Sequence, residues 1–143
     1  MQREDLAIAA AGARQWDLSP DTTLTRLLAL NARTHGRQVA MREKALGIWQ
    51  EFTWEQVLDE VLAIAAGLEQ LGFAAGDSML VLGDNRVRLY LGMLAAGALG
   101  GYAMPVYPDA TPEEVLHFAC EAMARFALAE DQEQVDKLLE LRE

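Results

Sequence analysis

The stretch LYLGMLAAGALGGYAMPVYP, residues 89–108, contains no charged side chain. Read as one helix, it would rise about 30 Å, the thickness of the hydrocarbon core of a bilayer. Gly92, Gly97, Gly100 and Gly101 interrupt it, however, and Pro105 and Pro108 follow. A glycine pair after an apolar helix is a stop signal, and proline does not continue a helix. The stretch therefore reads as a helix ending near Leu99 and an apolar strand starting near Tyr102. A strand that is apolar throughout suits a parallel sheet covered on both faces. No transmembrane segment is expected.

Outward from this stretch the pattern alternates. On its N-terminal side, Ser78–Leu82 is an apolar strand after a Gly76-Asp77 turn, and residues 86–99 form the helix. On its C-terminal side, Thr111-Pro112-Glu113-Glu114 is a capping box with proline at the first helical position, opening a helix to about Ala124. Residues 126–129 make a short strand, and Asp131 caps a last helix with Val135, Leu138 and Leu139 as its apolar residues. Successive strand–helix units predict a parallel sheet with right-handed crossovers.

Before the sheet, Thr53-Trp54-Glu55-Gln56 is a second capping box. Val57, Leu58, Val61, Leu62, Ala65, Leu68 and Leu71 follow at helical spacing, and Gly72 ends the helix. Residues 38–43 and 49–52 read as a hairpin turning at Gly47. Asp21-Thr22-Thr23 caps a first helix with Leu24, Leu27, Leu28 and Ala32 on one stripe and Gly36 at its end. Residues 1–21 read as an extension. The fold class is α/β: a β-hairpin and helix, then three β-α units in a mainly parallel sheet.

The chain has 143 residues, 52% hydrophobic and 24% charged, enough to bury one core. Its net charge of -10 repels phosphates, and no basic cluster with interleaved aromatics occurs, so nucleic acid is not an expected partner. Cys120 is the single cysteine, which excludes an intrachain disulfide; its apolar helical setting predicts a small buried side chain. Glu4 and Asp5 argue against a signal peptide, and a cytoplasmic protein is expected.

Residues with chemistry are few. No phosphate loop and no dinucleotide-binding glycine pattern is present. No Cys/His cluster has metal-ligand spacing. His117 and Cys120 share a helix face, a pairing that reads as packing. Gly83-Asp84-Asn85-Arg86 sits at the C-terminal end of a strand, where open parallel sheets bind ligands; Asp84 or Asn85 could equally cap the next helix. Glu43 and Glu51 could face each other across the hairpin as solvated positions. Trp49 and Trp54 could line an apolar ligand surface, or staple the hairpin to the helix beside it.

Together, several segments resemble one enzyme family. Phe52-Thr53-Trp54-Glu55-Gln56-Val57 looks like the first core motif of the adenylate-forming (AMP-binding) ligases. Leu94-Ala95-Ala96-Gly97-Ala98-Leu99-Gly100-Gly101, followed by Met104-Pro105-Val106-Tyr107-Pro108, is similar to the second. Segments at 41–44, 47–50, 83–86 and 129–139 resemble the long-chain fatty acyl-CoA synthetase branch. The likeness covers residues 22–143. One departure is Val87, where the family often has proline opening the helix.

The resemblance implies the N-terminal part of a larger AMP-binding domain, in an enzyme that activates a carboxylate with ATP and magnesium and passes the acyl group to coenzyme A. The family's phosphate loop, metal-binding glutamate, ribose-binding aspartate and catalytic lysine lie beyond the second core motif and have no matching position here. No catalytic, cofactor-binding or metal-binding residue is therefore assigned, no cofactor is expected to bind this segment, and the segment alone is expected to be inactive. The remainder of the ligase chain is one expected partner. The alternative is a stand-alone α/β interaction module that self-associates through an uncovered sheet edge or apolar face.

Overall fold

The computed structural model describes residues 22–141. The expected extension, residues 1–21, therefore lies outside the described residues. Helix α1 (Leu24–His35) is followed by strands β1 (Val39–Ala45) and β2 (Ile48–Thr53), helix α2 (Trp54–Gln70), strand β3 (Ser78–Leu82) and helix α3 (Val87–Ala98). Strand β4 (Tyr102–Val106), helix α4 (Pro112–Glu121), strand β5 (Phe126–Ala129) and helix α5 (Gln132–Glu140) follow. The expected α/β fold is present. β1 and β2 form an antiparallel hairpin, and the other strands form a parallel sheet in the order β4-β3-β5.

β3 is the centre of the sheet. All five of its residues are buried. Strand side chains alternate between faces, and here each face owns a cluster. Met79 and Val81 pack with Phe73, Leu89 and Ala96. Leu80 and Leu82 pack with Val106, Ala110 and Val115. A third cluster joins α1, α2 and α3 through Leu28, Val57, Val61, Leu91 and Ala95. α3 thus has one side on the sheet and another on α1 and α2.

The covered strand is β3 and not the one starting at Tyr102. β4 lies at the sheet edge, with Tyr102 and Pro105 exposed. Pro105 has no N–H to donate and suits an edge position. Edge placement depends on which strands pair, which the apolar run of β4 does not encode.

Helix ends follow local chemistry. Thr53 and Thr111 form complete capping boxes, and Thr23 accepts from the Arg26 N–H. After α2 and α3 the chain turns through Gly72 and Gly100 at positive φ, with the next amide returning to the helix: Phe73 N–H to Leu68 O and Gly101 N–H to Ala96 O. α4 uses the same turn, but Met123 takes the glycine position at φ 49°, so this helix ends before Ala124 without a glycine signal. The hairpin turns through Leu46 (φ 51°) and Gly47 (φ 82°), a positive pair that matches a type I′ turn. Leucine in this left-handed region costs about 1–2 kcal/mol.

One further expectation fails on burial. Cys120 is exposed, because α4 turns only Val115 fully inward, and His117 is exposed beside it. In α5 the buried residue is Gln134, while Val135 and Leu139 are exposed and Leu138 packs against the Leu80 cluster.

Gly101 and Gly97 give opposite tests of this packing. A Cβ at Gly101 would lie 2.5 Å from the Phe73 ring and 2.6 Å from the Asp77 carbonyl oxygen; at Gly97 it would meet nothing within 4 Å. Gly101→Ala should lower unfolding stability by about 1–3 kcal/mol through overpacking. Gly97→Ala, on the exposed side of α3, should raise it by about 0.5–1 kcal/mol. Urea denaturation midpoints of the two variants check both signs.

Candidate active-site edge of the parallel sheet

All three parallel strands deliver their C-terminal ends to one edge. The loops there are 83–86 after β3, 107–111 after β4 and 130–131 after β5. Two clefts of about 300 Å³ and one of about 190 Å³ open on this edge. One is lined by Gly83, Asp84, Asn85 and the segment 105–108. Another runs between Glu43, Arg86 and Arg88 on one side and Leu128 and Glu130 on the other. A larger, more open groove of about 630 Å³ lies elsewhere, where Arg33, Arg37 and Glu55 surround the end of α1.

Glu130 organises the edge. It follows β5, which pairs directly with β3, so its carboxylate reaches the loop after β3. One oxygen accepts from the Asp84 N–H at 2.6 Å, and the other accepts from Arg86 Nε at 2.8 Å. The Arg86 guanidinium is held above its ordinary pKa, chiefly by the hydrogen bond and charge of Glu130. It therefore stays charged, and no pH switch arises from it. Gly83 is required by the closeness of this clamp: its φ is 145°, and a Cβ would lie 2.5 Å from the Glu130 Cβ.

The start of α3 is capped from outside the local sequence. Its N-cap is Arg86, which offers no side-chain cap. Glu43 on β1 accepts the Val87 N–H at 3.1 Å instead. Asp84 and Asn85 do not cap the helix, contrary to the local pattern; Asn85 accepts from the Tyr90 hydroxyl at 3.0 Å. Val87 now has a reason: a proline there would have no N–H for Glu43. Glu43 also does not face Glu51. The register pairs Glu43 with Gln50 and Arg42 with Glu51, and Arg42 Nε lies 3.0 Å from Glu51 Oε1.

The other helices at this edge are capped as well. Thr111 and Glu114 close the start of α4, and Asp131 accepts the Gln134 N–H at the start of α5. Gln134 Nε2 and Lys137 Nζ both donate to the Pro108 carbonyl, tying the loop after β4 to α5. Among the described residues no group of three acidic, histidine or cysteine side chains could hold a metal ion. The tryptophans do not share a surface: Trp54 packs on the helical cluster, whereas Trp49 is exposed.

What this arrangement does chemically is fix loops. The sequence reading found the segment 83–86 but missed Glu130 and the role of Glu43, since both act across 44 or more residues. Loss of an external cap should cost stability: Glu43→Ala by about 1 kcal/mol, as for other N-cap deletions. Glu130→Ala, which frees a backbone N–H and an arginine, should cost about 1–3 kcal/mol. Thermal and urea unfolding check this; carboxylates kept for catalysis would instead leave stability unchanged or raise it when removed.

The model of the family "AMP-binding enzyme" matches residues 28–143. The long-chain-fatty-acid–CoA ligase ACSBG2 of Xenopus laevis is 23% identical over 124 residues, 87% of this chain and 17% of its own length. The phenyloxazoline synthase MbtB of Mycobacterium tuberculosis is 30% identical over 130 residues, 76% of this chain and 9% of its own length. The inhibitor-bound N-terminal domain of FACL13 from Mycobacterium tuberculosis superimposes with a TM-score of 0.75 at 21% identity, over 82% of this chain and 29% of that one. This chain thus spans less than a fifth of the length of these two relatives. With the match running from Leu28 through the last residue, the chain belongs to the AMP-binding enzymes.

Proposed function

We propose that this chain is the N-terminal framework of an ATP-dependent acid–thiol ligase, of the type that joins long-chain fatty acids to coenzyme A, acting in the cytoplasm. The carboxylate would be adenylated and then passed to the thiol by the larger ligase. The long-chain ligase relative aligns with 87% of the chain, and the segments at 41–44, 47–50, 83–86 and 129–139 resemble this branch.

The framework role rests on one observation above all. At the sheet edge where a ligand would sit, one N–H at the start of each helix and both oxygens of Glu130 are engaged by side chains or backbone of the chain itself. A nucleotide phosphate needs free N–H groups at a helix start or a cation aimed at it. Arg86 directs its Nε to Glu130. Among the described residues no group of three acidic, histidine or cysteine side chains could hold a magnesium ion, and no chemical step is assigned to them. ATP, magnesium and coenzyme A belong to the larger chain in this reading.

A second reading is favoured by the outer edges of β4 and β5, which pair with no strand among the described residues: an α/β module that pairs with itself or with the remainder of a ligase chain. The framework role has a direct assay. The 143-residue chain, given ATP, magnesium and a long-chain fatty acid, should release pyrophosphate no faster than a buffer blank. Catalysed release would overturn the framework role. Native product several times longer than this chain, seen by intact mass in its own cells, would favour the ligase framework over the separate module.

A further inference from the structure

We infer that the outer edge of β5 is a pairing surface for a second copy of this chain, joined antiparallel about a two-fold axis at Leu128, so that two 3-stranded sheets become one. The inference deepens the second reading above, the separate module, and rests on it.

The first ground is the direction of the backbone groups. In a strand the N–H and C=O of one residue point to the same side, and that side alternates along the chain. Two bonds fix the phase. Tyr102 N–H donates to Asp77 O at 3.1 Å, and Glu130 N–H donates to Leu82 O at 2.9 Å. Tyr102, Met104 and Val106 therefore turn their backbone groups to β3, and Ala103 and Pro105 turn theirs outward. On the other side Phe126 and Leu128 turn to β3, and Ala127 and Ala129 turn outward. Arg125, one residue before the strand, also donates its N–H inward, to Ser78 O. Pro105 has no N–H, so the outer edge of β4 lacks a donor where a new strand would need one. The outer edge of β5 keeps the N–H and C=O of both alanines, and β3 is the only strand beside β5 among the described residues. One edge is blunted and the other is open.

The second ground is self-complementarity. A two-fold axis reverses the strand, so pairing through the same edge is antiparallel. The two outward residues set the register. Ala127 lies opposite Ala129 of the second copy, and each such pair exchanges both of its N–H···O bonds. The same register sets Arg125 opposite Asp131 of the second copy and Phe126 opposite Glu130, so no like charges meet. Both charged groups have capacity to spare. Arg125 gives Nη1 to Asp77 at 3.3 Å, its side chain is 68% exposed, and its other donors make no bond among the described residues. Asp131 gives Oδ1 to the Gln134 N–H, which leaves Oδ2. A cation before the strand and an anion after it match their own copies when the strand is reversed. β4 has Gly101 before it and Tyr107 after it, and offers no such match.

The test is sedimentation velocity of the 143-residue chain over a concentration series, with amide hydrogen exchange at both ends of the series. The chain should pass from monomer to dimer. The Ala127 and Ala129 amides should gain protection with it, and the Ala103 amide on β4 should not change. Ala127→Pro removes an outward donor and leaves the ladder to β3 intact, as Pro105 does on β4. Once circular dichroism shows it folded, it should raise the dimer Kd at least about tenfold. Asp131→Asn keeps the helix cap, since asparagine caps as well as aspartate. It should weaken the dimer by about threefold. Loss of an acid from a chain of net charge -10 would strengthen any association that does not use this pair. A monomer at every concentration overturns the inference. So does a dimer that leaves the Ala127 and Ala129 amides unprotected, that a folded Ala127→Pro leaves intact, or that Asp131→Asn tightens. A dimer seated elsewhere overturns this edge and keeps the module. A native product several times longer than this chain counts against the module without altering which edge of this chain pairs.

Discussion

Burial of β3 on both faces is the constraint from which the rest of this structure follows. Five consecutive buried residues have no room for a charge, so their backbone polar groups must be met by neighbouring strands. β4 and β5 meet them in parallel, and parallel pairing requires a crossover between successive strands. The α3 crossover covers one face and the elements around Val106, Val115 and Leu138 cover the other. Parallelism also sends three strand ends to one edge, and that is where the polar loops and clefts collect.

That edge has the geometry of a ligand site and the chemistry of a joint. Glu130 sits on one loop and holds two groups of another. Glu43 reaches from the hairpin to α3. Lys137 and Gln134 hold the Pro108 carbonyl from α5. Each of these groups spans separate elements, and each is satisfied within the chain. A framework that presents rigid loops to a larger enzyme needs this kind of satisfaction, because a loop with unpaired groups would not hold its position.

Much of the fold was legible in local sequence because its signals are local. Capping boxes at Thr53 and Thr111, the glycines after α2 and α3, and the apolar run of β3 each act within a few residues. β3 and β5 were placed residue for residue. What escaped depends on partners distant in the chain. Whether β4 is an edge strand is decided by pairing order, not by its own hydrophobicity. Whether Cys120 is buried is decided by how α4 rolls on Val115. The cap of α3 came from Glu43, 44 residues away, where the local pattern offered Asp84 and Asn85. The hairpin register separated Glu43 from Glu51, and no count along either strand fixes that offset. Trp49 and Trp54 are five residues apart, yet strand and helix geometry send one outward and the other inward.

The central claim is that the carboxylates at the sheet edge are structural ties. Native-state amide hydrogen exchange reads it at single sites. The Asp84 and Val87 amides should be protected, opening only with energies close to those of the β3 amides, because Glu130 and Glu43 hold them in the folded state. Rapid exchange at Asp84 and Val87, alongside full protection of β3, would mean that the ties are not made in solution and that both carboxylates are free for other work.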